Sequence, residues 1–135
     1  MHKITEGQSK YKVILYAIKS GEDLTIIIYG GEKPHIGAIA VSIPRSSLKD
    51  LNKISSSTSV FTLVGHKEDE LSKQIAEHIT KITKRVTVVI MGLHIEKATL
   101  KDINCLIKNI KKTVDRLIKK IKLTRISSME CEKQI

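Results

Sequence analysis

Cysteine is scarce in this sequence. There are two in 135 residues, at positions 105 and 131, with no CxxC pair. That excludes a disulfide-stapled secreted domain and a Cys-based zinc module. Aromatic residues are scarce too, at 3%, with three Tyr, one Phe and no Trp. The core must therefore be aliphatic, and the stacking platforms of a single-strand nucleic-acid binder are missing. No apolar run approaches the roughly 20 residues that cross a bilayer. The opening Met1-His2-Lys3-Ile4-Thr5-Glu6 holds no apolar segment of the secretory-signal kind. A reduced cytoplasm is the expected location, with no membrane partner.

What is present is an ordinary globular balance, 41% hydrophobic and 28% charged. One domain over residues 1–135 is expected, with loose termini at 1–9 and 126–135. The net charge of +10 is a property of one segment. Residues 97–125 hold ten basic and two acidic side chains, which accounts for eight of the ten net charges. Only four of the 24 basic residues are Arg, and Lys lacks the planar fork that reads base edges. A lysine face opposite an apolar arc reads as solvated surface, so a nucleic-acid partner is not expected.

Along the chain, Tyr11, Val13, Leu15 and Ala17 alternate as a strand does, and Leu24 to Tyr29 is a β-branched run. Ser20-Gly21-Glu22-Asp23 between them predicts a β-hairpin. His35 to Ile43 is a third strand, ended by Pro44. Arg45 to Ser57 reads as a polar connection and Thr58 to Val64 as a fourth strand. A helix from about His66 to Lys84 carries Leu71, Ile75, His78, Ile79 and Ile82 on one stripe, which makes His78 a packed core or interface residue. Val86 to Met91, apolar on both faces, is a central strand. In a last helix over about 100–123, nine residues from Leu100 to Ile121 fill one arc, after a Thr99/Asp102 N-terminal cap. The order β-β-β-β-α-β-α predicts an α/β (α+β) fold. It is a mostly antiparallel five-stranded sheet with two helices packed on one face, and the fourth and fifth strands are parallel.

Three His share one context. His35 follows Gly30-Gly31-Glu32-Lys33-Pro34, His66 follows Gly65, and His94 follows Gly92-Leu93. Each stands at a strand end beside a backbone breaker, which predicts that the three imidazoles share a pocket rim. Gly65-His66-Lys67 also opens a helix, whose free N–H groups and dipole suit an anion. The acidic Glu68, Asp69 and Glu70 that follow would satisfy the same helix end without a ligand. The glycine-rich stretch at 30–37 lacks the phosphate-loop spacing and reads as a hairpin turn with positive φ at Gly30 or Gly31. No nucleophile elbow, HxH, HExxH or spaced carboxylate pair is present, so catalytic residues are not assigned and a metal site is not favoured. Cys105 lies off the apolar arc with no acid–base partner to make it a nucleophile.

Three ordered blocks carry a family resemblance. They are Pro34-His35-Ile36-Gly37-Ala38, then Thr58-Ser59-Val60 leading to Gly65-His66-Lys67-Glu68-Asp69, then Gly92-Leu93-His94-Ile95. Together, from about Tyr11 to Ile118, they resemble the prenylated flavin chaperone (LpdD-like) family, whose fold is similar to that of proteasome assembly chaperones. The resemblance implies a non-catalytic accessory protein that binds prenylated FMN or delivers it to a prenylated-FMN-dependent decarboxylase. It implies cofactor-binding roles for Pro34, His35, Gly37, Gly65, His66, Lys67, Gly92 and His94. Separately, a five-stranded sheet covered on one side leaves the other to be buried, so a homodimer or other homo-oligomer is expected. Two alternatives stand beside the flavin reading: a His-centred metal-dependent hydrolase or lyase, and an assembly chaperone with no ligand.

Overall fold

This computed structural model describes residues 1–63 and 68–133, with side chains through Arg125 in the last helix. Six strands and two long helices follow the chain: β1 (His2–Glu6), β2 (Val13–Ser20), β3 (Asp23–Gly31), β4 (Ala38–Ser46), β5 (Ile54–Thr62), α1 (Asp69–Thr83), β6 (Thr87–His94) and α2 (Leu100–Lys133). A 3-10 turn over Ser9–Tyr11 joins β1 to β2. The strands form one sheet in the order β1-β2-β3-β6-β4-β5. Every pairing is antiparallel except β3 with β6.

The expected class holds, with one strand more than the five expected. Residues 2–6, expected to be loose, pair with β2 as an edge strand, because Ile4 opposite Leu15 is buried at 1% exposure. The other terminus, also expected to be loose, continues α2 to Lys133. Pro44 does not end its strand. The β6 partner stops at Ser42, so the missing N–H at Pro44 falls where only β5 is beside it. The polar 45–57 connection is strand at both ends: β4 and β5 pair out to Ser46 and Ile54, and residues 47–53 make the turn. The β5 and β6 strands are parallel in direction, since both oppose β4, but β4 lies between them.

Both helices cover the same face of the sheet. Alternate residues on that face are buried: Val13 and Leu15 of β2, Ile26 and Ile28 of β3, Val89 and Met91 of β6, Ala38 and Ala40 of β4. The helices contribute Ile75 and Ile79 of α1, and Ile110, Val114, Leu117 and Ile121 of α2, to the same cluster. α1 lies on β4, β5 and β6, and α2 on β1 and β2. Burying one such aliphatic side chain contributes about 1.5–3 kcal/mol, so this shared layer holds the fold. Small residues at Ala38 and Ala40 let α1 sit close to β4.

The start of α2 is capped as the sequence predicts. Asp102 N–H donates to the Thr99 hydroxyl at 3.1 Å and Thr99 N–H donates to the Asp102 carboxylate at 3.0 Å. The same carboxylate accepts the Tyr11 hydroxyl at 2.6 Å and pairs with Lys10 at 3.3 Å. These donors, Tyr11 first, hold the Asp102 carboxyl far below the usual carboxylate range. At the other end Arg125 donates to the Thr83 carbonyl at 2.7 Å, satisfying a C-terminal carbonyl of α1.

Candidate functional site

The glycine-rich stretch at 30–37 is not the hairpin turn expected of it. Its flanking strands β3 and β4 are separated by β6, so the chain must cross the end of β6 to get from one to the other. Glu32 and Lys33 N–H groups both donate to the His94 carbonyl, at 2.7 and 3.2 Å, and Gly37 N–H donates to the Met91 carbonyl at 2.8 Å. Two glycines make the crossing possible. A Cβ on Gly92 would collide with the His35 carbonyl, and one on Gly31, at φ 75°, with the His94 carbonyl.

The crossing sets His35 against His94, with ring centroids 6.4 Å apart in edge-to-face orientation. His35 Nδ1 lies 3.0 Å from the Lys33 carbonyl and Nε2 lies 2.9 Å from Glu68 Oε1. Both ring nitrogens therefore face acceptors, and both contacts are hydrogen bonds when the ring carries two protons. Glu68 stands at the N-cap of α1, yet its side chain does not cap the helix. It turns toward the sheet, where it also accepts the Leu93 N–H at 3.3 Å. A Cβ on Gly37 would collide with that carboxylate, so glycine there makes room for it. Outside, Glu96 receives His94 Nε2 at 3.2 Å and Lys33 Nζ at 3.3 Å. These two partners, His94 first, lower the Glu96 carboxyl pKa.

Beside this polar cluster lies a groove of about 480 Å³ between the first turns of α1 and α2. Its walls are aliphatic: Leu71 from α1, Leu93 and Ile95 from the end of β6, and Ile103, Leu106 and Ile107 from α2. Glu68 and His94 form its polar end. The groove exists because the α2 stripe outruns the core. Ile110 is 2% exposed, whereas Ile103 is 44% exposed and Leu100 is 74% exposed. A smaller groove of about 270 Å³ lies further along the same helix pair and includes Leu71, Ile75 and Val114. His78 lines it and is exposed, so it is neither packed in the core nor buried between elements.

Of the expected site residues, His35 and His94 meet at one cleft. Gly37 and Gly92 form the seam that brings them together. Pro34 lies exposed in the crossing loop, where its fixed φ stiffens the approach to His35. Gly65, His66 and Lys67 lie outside the described residues. Sequence reasoning placed Glu68 in the acidic start of the helix, took Glu68 and Glu96 as solvated acids near the histidines, gave Lys33 no role, and read Ile103 and Ile107 as part of the apolar arc. The hint for Glu68 was its place in a block beside Gly65-His66-Lys67. Among the described residues no group of three His, Cys, Asp or Glu is placed to hold a metal ion. None of the described helices is long and apolar enough to cross a membrane.

Known proteins match this chain in one direction. The sequence profile of the prenylated flavin chaperone LpdD-like domain matches residues 7–122. Protein LpdD of Lactiplantibacillus plantarum is similar at 26% identity over 99 residues, covering 73% of this chain and 69% of that protein.

Proposed function

We propose that this chain, which belongs to the prenylated flavin chaperone LpdD-like family, binds prenylated FMN in the α1–α2 groove and delivers it to a decarboxylase without chemistry of its own. The observation that carries this reading is the aliphatic groove running up to the His35–Glu68–His94 cluster. A flat ring system with an added apolar ring needs broad apolar walls, and with few aromatic residues to hand the chain supplies them as Leu and Ile. The volume lies within the roughly 300–1,000 Å³ of small-molecule sites. When bound, the cofactor would bring a phosphate and a redox-active ring; the reaction it serves belongs to the enzyme that receives it.

In this reading His94 and Lys33 hold the anionic end, both already paired to a carboxylate that a phosphate can replace. For Gly65, His66 and Lys67, which lie outside the described residues, a phosphate-binding role rests on the sequence motif alone. His35, fixed between the Lys33 carbonyl and Glu68, holds the crossing loop against α1 and so shapes the mouth. Gly37 and Gly92 act through that shape, and Pro34 stiffens it.

The test is a titration with prenylated FMN and with FMN. Ile103→Glu puts a charge on the groove wall at a partly exposed position that the fold tolerates. The expected result is at least a tenfold loss of affinity for prenylated FMN with an unchanged melting temperature. An unchanged affinity in a folded variant would remove the groove from the account.

A further inference from the structure

The face of the sheet opposite the helices is apolar and uncovered by any described element. It presents Ile14, Tyr16, Ile27, Tyr29, Ile39 and Ile90, all only partly buried, in register across four neighbouring strands. Ile18, Ile43 and Phe61 extend it at 39%, 52% and 71% exposure. Tyr16 and Tyr29 stack at 6.1 Å, a flat aromatic pair within an aliphatic field. No charged side chain interrupts the block; Lys3, over the Tyr16 ring, and Arg45, beyond Ile43 on β4, stand at its edges.

We propose that this face binds a second copy of the same chain, sheet against sheet, as a two-fold dimer. The size is right. The whole six-stranded face, at about 4.8 Å strand spacing and roughly six residues at 3.3 Å rise, projects to about 500–600 Å², of which the apolar block over the central four strands is about 400 Å². Side-chain relief carries the whole face toward the ~800 Å² per partner of a standard interface. A face with an apolar, uncharged centre is its own complement there, which a two-fold interface requires.

Charge permits the copy on this face and directs an acidic partner elsewhere. Each chain carries +10, and the exposed lysines of α2 hold most of it. Two copies can meet only where that charge is absent and distant. The open face satisfies both conditions, because α2 lies on the other side of its sheet. With sheets about 10 Å apart and each helix about 10 Å further out, the two lysine helices stand roughly 30 Å from each other. That is nearly four Debye lengths of about 8 Å at physiological salt. An acidic partner would be drawn instead to the lysine side. The dimer does not depend on the flavin reading.

Sedimentation of the full chain at micromolar concentration tests it. The wild type is expected at about 30 kDa, twice 15.1 kDa. Ile90→Lys, at the centre of the face, is expected to sediment as a monomer. Thr25→Lys, a milder change on the same face, is expected to weaken dimerisation at least tenfold while circular dichroism stays native, and it decides the matter if Ile90→Lys fails to fold. Leu100→Glu, exposed on the helix layer, is expected to leave the dimer intact. A monomeric wild type would overturn the proposal and leave the face to another protein. A dimer unaffected by a folded Thr25→Lys or Ile90→Lys would overturn it by placing the interface elsewhere.

Discussion

The two halves of α2 carry the same aliphatic stripe and put it to different use. From Ile110 to Ile121 the stripe is closed against the sheet, and Leu117 is fully buried. From Leu100 to Ile107 it stands partly open, and Ile103, Leu106 and Ile107 wall a groove. The residues do not differ in kind; what faces them does. The closed half meets β1 and β2, whereas the open half looks across to Leu71 of α1 and the end of β6. An apolar arc thus tells which side of a helix turns inward, and the neighbouring elements decide whether that side is core or cavity.

Truncation should separate the halves most strongly. Leu117→Ala is expected to cost about 2–5 kcal/mol of stability, since a fully buried side chain leaves a cavity. Leu100→Ala, on the open half, should stay within about 0.5 kcal/mol of wild type. Urea unfolding of both variants checks the pair; equal losses would mean that the open half is packed after all.

Acid should reach the junction between the chain's start and the open half through Asp102. Its carboxyl is held low by Tyr11 and the Thr99 cap, so the folded form binds the proton less readily than the unfolded chain. The stability it contributes is complete above the ordinary carboxylate range and is lost as pH falls through that range toward the depressed value. Between about pH 7 and about pH 3, Asp102→Asn should show a shallower fall in urea midpoint than wild type. Parallel curves would remove Asp102 from the acid response.

The smallest effect belongs to the Gly65-His66-Lys67 motif. Lys67→Ala is expected to weaken prenylated FMN binding by about 0.3–1 kcal/mol, the size of an exposed charge contact at a helix end. Added salt should shrink the difference. Identical affinities at low salt would leave the Gly65-His66-Lys67 motif without a part in binding.

Periodicity made the helices, the central β6 and the capped start of α2 legible, because each rests on local spacing that packing then confirmed. It also showed that both helices need the same sheet face. The β1 strand was illegible: only Ile4 among residues 2–6 is a buried hydrophobic, and its strand character comes from pairing with β2. The serines of β5 misled in the same way, since an edge strand tolerates polar residues that propensity assigns to loops. Within the site, glycine and histidine at strand ends pointed to His35 and His94. The route that joins them, a loop crossing over β6, depends on strand order that no local pattern encodes. Glu68 was read with the acidic first turn, and only the tertiary fold turns it toward His35.

The most direct measurement is a methyl-resolved NMR titration of the full chain with prenylated FMN. The groove account predicts that methyl signals of Leu71, Leu93, Ile103 and Ile107 shift and saturate together, while Ile27 and Ile90 on the open sheet face stay in place. Shifts confined to the open face, or no shifts at saturating ligand, would contradict it.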